Sequence, residues 1–141
     1  MASAVLYSPQ VLALATSLAN YPLLEGAFAG EARSPTCGST IRVTLETACN
    51  GSVTAIGLRA HACAIGQASA ALFARHAIGQ TESNLAAAER QIAEWLAGAG
   101  PPDWPGFDAI AAARDYPARH GAILLPWKAA LVALSSAPVP R

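Results

Sequence analysis

The middle of the chain has the most regular pattern of apolar and polar positions. Over residues 40–46, apolar side chains alternate with polar ones, which predicts a β-strand with one face toward water. Asn50-Gly51 follows as a turn whose residues tolerate positive φ angles, and residues 53–60 have the composition of a second strand. The segment therefore predicts an antiparallel β-hairpin.

Helical patterns lie on both sides of this hairpin. Their starts are marked by Ser8-Pro9 and by the capping residue Thr81, and glycine or proline follows the last apolar turn. The predicted helices cover residues of about 9–20, 64–77, 82–97, 107–114 and 117–134. With a short strand near residues 28–32, these elements predict an α+β fold. A small antiparallel sheet of about three strands packs against four to five helices.

The length and composition indicate one compact domain. The chain has 141 residues, of which 53% are hydrophobic and 13% charged. This length is close to the commonest size of a single domain and is enough to bury a core. We expect one domain over residues 1–141, with flexible ends at about residues 1–6 and 135–141.

The distribution of charge and hydropathy excludes several classes of partner. Nine basic and nine acidic residues balance, and no run of Lys or Arg is available to neutralise a row of phosphates, so nucleic acid is not an expected partner. No segment reaches the roughly 18–20 uninterrupted apolar residues of a membrane span. The apolar N-terminal segment lacks the basic residues of a secretory signal. We therefore expect a cytoplasmic protein that does not associate with a membrane.

The three cysteines are the candidates for chemistry, since an odd number without an export signal is not typical of a disulfide framework. Antiparallel pairing of the hairpin brings Cys37 and Cys63 to the same end of the sheet. Cys63 also precedes a predicted helix, whose N-terminal N–H groups and dipole stabilise a thiolate. Cys37 lies in a Pro-Thr-Cys-Gly loop that leaves its side chain projecting. Cys49, at the opposite end of the sheet, is interpreted as a small buried hydrophobe.

Both cysteine segments resemble motifs of a known family. Residues 34–38 read Ser-Pro-Thr-Cys-Gly, and residues 62–70 read Ala-Cys-Ala-Ile-Gly-Gln-Ala-Ser-Ala. They are similar to the Asn-Pro-Thr-Cys-Gly-Asp and Gly-Cys-Ala-Ile-Ser-x-Ala-Ser-Ala motifs of the IscU/SufU/NifU N-terminal family, the scaffolds on which iron–sulfur clusters are assembled. Residues 116–127 resemble the segment with the third cysteine in the SufU-type branch. The resemblance covers about residues 19–131.

The resemblance implies a scaffold or carrier protein rather than an enzyme. Family members bind a [2Fe-2S] cluster or zinc, receive sulfur from a cysteine desulfurase and pass clusters to acceptor proteins. Carried over to this chain, the ligands are Cys37 and Cys63. The family's aspartate and third cysteine correspond to Ser39 and Ala122. The expected site therefore lacks two of the four ligands that zinc or a [2Fe-2S] cluster normally requires.

Several ways of completing the site remain open. Ser39 or His120 is a further candidate ligand, His61 is a weaker one, and a homodimer could supply Cys37 and Cys63 from each subunit. The alternative function is a ligand-deficient family member that acts as a sulfur acceptor or as a regulatory module bound to the desulfurase, without a stable cluster. A Cys-His enzyme is a third reading, but no orienting residue or oxyanion motif supports it.

Overall fold

The computed structural model of the chain describes residues 6–25 and 27–135. Its elements in chain order are helix α1 (Pro9–Thr16), a 3-10 turn (Ser17–Asn20), strands β1 (Phe28–Arg33), β2 (Thr40–Thr47) and β3 (Val53–His61), helices α2 (Ala64–His76) and α3 (Glu82–Leu96), a 3-10 helix (Phe107–Asp115) and helix α4 (Pro117–Ser135). The predicted α+β fold class is thus confirmed. The ends expected to be flexible lie outside the described residues, apart from Ser135 and the buried Leu6.

The three strands form one antiparallel sheet in the order β1-β2-β3. The predicted hairpin corresponds to β2 and β3, and Gly51 in its turn has the positive φ of 85° that glycine adopts without strain. Thr40 at the start of β2 pairs with both Arg33 and His61. The sheet therefore has one end from which the segments after β1 and after β3 both emerge.

Helix α4 covers the inner face of the sheet. Ile41, Val43 and Leu45 point to that face and are buried, as the alternating pattern predicts. Gly30 on β1 lies where α4 crosses, and a Cβ atom there would collide with the carbonyl oxygen of Ala129. The absence of a side chain at Gly30 is what allows helix and strand to pack so closely.

The outer face of the sheet is covered over only part of its area. The segment of residues 21–24 crosses it, and the backbone N–H of Leu24 donates to the hydroxyl of Thr44 at 2.9 Å. Thr44 is therefore buried, although its place in the alternating pattern predicted an exposed side chain. Gly57, paired with Thr44, lies directly beneath the backbone of Pro22. The 21–24 segment, which is distant in sequence, thus buries part of the face that the alternating pattern predicted to be exposed to water.

The helices enclose an aromatic cluster. Phe73 on α2 stacks with Trp104 at a centroid distance of 5.8 Å and contacts Trp127 edge-on at 5.3 Å. The indole N–H of Trp104 donates to the carbonyl of Leu72 at 2.9 Å, so this buried polar group is satisfied. Within the described residues, no helix has both the length and the hydropathy needed to cross a membrane.

Helices α2 and α4 are joined by a buried hydrogen bond. Pro126 lies inside α4 and has no N–H to donate to the preceding turn. The carbonyl of Ile123, in that turn of α4, accepts a hydrogen bond at 2.7 Å from the hydroxyl of Ser69 on α2. Ser69 is fully buried. The bond fixes the position of α4 relative to α2, and hence relative to Cys63 at the start of α2.

Candidate functional site

Cys37 and Cys63 lie at one end of the sheet. The pairing of Thr40 with Arg33 and with His61 means that the loop of residues 34–39 and the residues after β3 leave the sheet together. Cys49 lies in the β2–β3 turn, at the opposite end. The structure therefore groups Cys37 with Cys63 and excludes Cys49, as the hairpin predicted.

The loop that contains Cys37 is closed by its own backbone. The N–H of Ser34 donates to the carbonyl of Ser39 at 2.8 Å, and the N–H of Gly38 donates to the carbonyl of Ser34 at 2.8 Å. Gly38 has a φ of 72°, in the left-handed region that favours glycine. The result is a tight loop in which Cys37 is exposed to solvent.

Two serines surround the Cys37 thiol. Its Sγ lies 3.0 Å from Ser39 Oγ, and this hydrogen bond is the main reason that the pKa of Cys37 is below its ordinary value. The Ser34 hydroxyl also lowers this pKa, although Ser34 Oγ is buried and has no partner of ordinary hydrogen-bond geometry among the described residues. Slight burial acts in the opposite direction, and the Ser39 backbone N–H and the positive charge of Arg119 lower the pKa further. Cys37 is therefore a thiol whose ionised form is favoured.

Cys63 occupies the N-cap position of α2, as predicted. Its backbone is extended, with φ −63° and ψ 169°, and its carbonyl accepts a hydrogen bond from the N–H of Gln67 at 2.9 Å. The half-buried side chain makes no capping hydrogen bond. Its sulfur is therefore not used to close the helix end.

The third segment of the resemblance reaches the same place. A Cβ atom built on Gly66 would lie 3.9 Å from Cys63 Sγ and 3.3 Å from Ala122 Cβ, so Ala122 lies close to Cys63. A Cβ atom on Gly121 would lie 2.5 Å from Ser34 Oγ, so the same turn of α4 also contacts the Cys37 loop. Three segments distant in sequence thus converge on one site.

The donor atoms at this site do not amount to a complete ligand set in one chain. Ala122 is buried and has no donor atom, while the Ser39 hydroxyl is hydrogen bonded to Cys37. His120 Nε2 donates to the carbonyl of Arg114 at 2.9 Å, and His61 is exposed at the end of β3. Among the residues that the structure describes, no three His, Cys, Asp or Glu side chains are grouped to hold a metal ion. Two thiols alone do not fit a four-coordinate centre.

The interpretation of Cys49 as a buried hydrophobe is wrong. Cys49 is exposed, as are its neighbours Ala48 and Asn50. The turn is closed by local bonds, such as the one from the N–H of Gly51 to the carbonyl of Ala48 at 2.9 Å. Cys49 lies in the turn beyond the last paired residues, Thr47 and Val53, and its side chain faces water.

Sequence reasoning also missed residues that act on Cys37. Ser34 had one signal, its position at the start of a recognised motif, where the family has asparagine. Arg119 had no such signal, because it follows Cys37 by 82 positions in the sequence. Its proximity to Cys37 depends on how α4 packs against the 34–39 loop.

The fold and the positions of Cys37 and Cys63 define a class of protein: a small α+β domain with two free cysteines at one end of a three-stranded sheet. The N-terminal part of a nitrogen-fixing NifU-like protein from Brucella abortus is 30% identical, with 93% of each chain covered and a TM-score of 0.83. A proposed iron–sulfur cluster assembly scaffold of the SUF system from Fervidobacterium islandicum AW-1 has the same fold. It is 21% identical over 94% of this chain and 99% of that one, with a TM-score of 0.79.

This chain therefore belongs to the IscU/SufU/NifU N-terminal family. No family model matches it, and a search of curated proteins found no match.

Proposed function

We propose that this chain is a cytoplasmic, non-enzymatic scaffold or carrier in iron–sulfur cluster assembly, with Cys37 and Cys63 as the protein ligands of its cargo. The cargo is a [2Fe-2S] cluster or a zinc ion. The observation that supports this proposal is the convergence of both cysteine segments and the Ala122 turn of α4 on one end of the sheet. Membership of the family and the scaffold role of its Fervidobacterium neighbour agree with it.

The two thiols suit such a cargo because thiolate is the ligand form of cysteine. The lowered pKa of Cys37, caused chiefly by the Ser39 hydrogen bond, raises the thiolate fraction at neutral pH. Soft thiolate sulfur is a preferred ligand of zinc and of iron–sulfur clusters. Two thiolates per chain leave two positions to fill. A homodimer fills them with Cys37 and Cys63 of a second copy, without any new ligand type.

A second candidate function is sulfur acceptance without a stable cluster, with a cysteine desulfurase as partner. It is favoured by the buried methyl group at Ala122 and by the use of the Ser39 hydroxyl in a bond to Cys37. In this reaction the Cys37 thiolate attacks the outer sulfur of a persulfide on the donor protein. A new S–S bond forms on Cys37, the old one breaks, and the donor cysteine leaves as a thiolate, so no external oxidant is needed.

Anaerobic reconstitution with iron and sulfide separates these candidates. For a scaffold we expect visible absorption, bound iron and sulfide, and loss of both in Cys37→Ser and Cys63→Ser, while Cys49→Ser behaves as wild type. The molar mass with cargo bound distinguishes one chain from two. An unchanged apo spectrum with no bound iron or zinc would contradict the scaffold proposal. Transfer of sulfane sulfur from a desulfurase to Cys37, followed by mass spectrometry, then tests the second candidate.

A further inference from the structure

The outer face of the sheet is open at the end near the cysteines. The segment of residues 21–24 covers the other half, over Thr44 and Gly57. On the open half, the register places Arg42 between Glu31 and Arg59. It also places Thr40 between the exposed residues Arg33 and His61. We call the exposed side chains Arg33, Arg42, Arg59 and His61 the basic face.

The basic face has an excess of positive charge that the chain as a whole does not have. Arg42 is paired with Glu31 at 2.5 Å. Within the described residues, the side chains of Arg33 and Arg59 have no ion pair or hydrogen bond. Three arginines against Glu31 and the exposed Glu25, which lies beside Arg42, leave one uncompensated positive charge here, while the net charge of the whole chain is zero. Arg119, in the first turns of α4, adds one further positive charge near the Cys37 loop.

The basic face and the thiols are close enough to be covered by one partner. Arg59 precedes Cys63 by four residues, which is roughly 13 Å along an extended strand. A standard protein–protein interface covers about 800 Å² on each partner, roughly 30 Å across. A protein that contacts Arg59 therefore also reaches the end of the sheet where Cys37 and Cys63 lie.

From this placement we infer that the basic face docks a carboxylate-rich surface of the protein that exchanges sulfur or a cluster with Cys37 and Cys63. Exposed charges beside a reactive group steer a partner of opposite charge and raise its association rate. Nucleic acid fits less well, because the face is short, lies beside Glu31, and belongs to a chain without net positive charge. The identity of this partner rests on the proposed function, whereas the charge of the face does not.

The test uses the full chain without metal and a decaglutamate peptide that ends in a cysteine activated as a pyridyl disulfide. A protein thiolate attacks the peptide sulfur, a mixed disulfide forms, and pyridine-2-thione leaves, which is followed by its absorbance. Peptide mapping identifies the modified cysteine. At low salt we expect the glutamate peptide to modify Cys37 or Cys63 on the order of tenfold faster than a decaglutamine peptide does. Cys49, at the other end of the sheet, should show no such preference.

Matched variants assign the effect to the basic face. Arg33→Glu with Arg59→Glu should abolish the preference for the glutamate peptide. Arg75→Glu with Arg90→Glu makes the same change in net charge at exposed positions on α2 and α3, and should retain the preference. Added salt should remove it in the wild type, because exposed charges are screened.

Three outcomes would overturn the inference: equal rates with both peptides, equal loss in both double variants, or a faster reaction with an oligothymidylate that has the same disulfide and charge. The last would assign the face to nucleic acid. Because the assay uses metal-free protein, its result is independent of reconstitution. Failure to bind iron or zinc would contradict the cluster proposal. Equal reaction rates with the two peptides would contradict only the proposed docking surface.

Discussion

Ser39 Oγ lies 3.0 Å from Cys37 Sγ, at the position where the resemblance to the family places an aspartate. A hydroxyl can donate a hydrogen bond to a thiolate, whereas an ionised carboxylate cannot and would repel it. The serine therefore stabilises the thiolate of Cys37 in the free protein. An aspartate would instead offer a charged oxygen ligand to a bound metal.

Ser39→Ala should shift the reactivity of Cys37 to higher pH. The lowered pKa of Cys37 means that its thiolate forms at lower pH than an ordinary thiol, so its alkylation rate rises earlier on the pH scale. Loss of the Ser39 hydroxyl removes the main cause of this shift and raises the pKa. The measurement is iodoacetamide labelling from pH 6 to 10, with each cysteine quantified by mass spectrometry.

Ser39→Thr is the control for this experiment, because it keeps a hydroxyl and should restore the low-pH reactivity. Cys49, exposed in its turn, is the internal reference and should give the same profile in all three proteins. If Cys37 in wild type and in Ser39→Ala titrates identically, the hydrogen bond does not control this thiol.

Ser39→Asp with Ala122→Cys should create a tighter metal site in a single chain. The two changes restore a carboxylate and a third thiolate at positions already close to Cys37 and Cys63. Gly66 has no Cβ atom, so the added sulfur meets no side chain at that position of α2. We expect zinc affinity to rise by on the order of tenfold or more. The measurement is chelator competition combined with molar mass.

Ser39→Asp with Ala111→Cys is the matched control, since Ala111 is exposed on the 3-10 helix, and its zinc affinity should rise less than that of Ser39→Asp with Ala122→Cys. If the wild type already binds zinc as tightly as the double variant while monomeric, other residues complete the site. His120→Ala would then test the imidazole. If no variant binds zinc, the family fold is present here without its metal chemistry.

Gly30→Ala should destabilise the protein by about 1–3 kcal/mol, the usual cost of forcing an atom into a packed region. The new Cβ would meet backbone atoms of α4 at Ala129 and Ala133, and backbone cannot move aside as a flexible side chain can. Urea unfolding measures the change. Gly100→Ala is the control, because nothing lies within 4 Å of its added Cβ, and should stay within about 0.5 kcal/mol of wild type.

Ser69→Ala should cost about 1–3 kcal/mol, because it leaves the buried carbonyl of Ile123 without its hydroxyl donor. It should also loosen the contact between α2 and α4 beside Cys63. Thermal unfolding measures the stability, and the labelling rate of half-buried Cys63 should increase. Ser83→Ala, at an exposed position of α3, should change neither quantity. Unchanged stability in Ser69→Ala would mean that the bond to Ile123 contributes little.

Much of the secondary structure could be predicted because it depends on neighbouring residues. The hydroxyl of Ser8 accepts from the N–H of Val11 at 3.2 Å, and that of Thr81 accepts from the N–H of Asn84 at 3.3 Å, so the two predicted caps are present. Strand alternation likewise reflects a local geometry that repeats every two residues. The shared end of the sheet for Cys37 and Cys63 followed from the register of one hairpin.

The sequence by itself therefore determined most helices and strands, the α+β class and the placement of Cys37 and Cys63 at one end of the sheet. Its motifs indicated the family. Only the tertiary structure decided that Thr44 is buried, that Cys49 is exposed and that Ala122 lies beside Cys63. It also placed the positive charge of Arg119 near Cys37. Periodicity and capping act over a few residues, whereas the burial of Thr44 and the positions of Ala122 and Arg119 arise where the 21–24 loop and α4 pack on segments distant in sequence. No pattern within either segment specifies its partner.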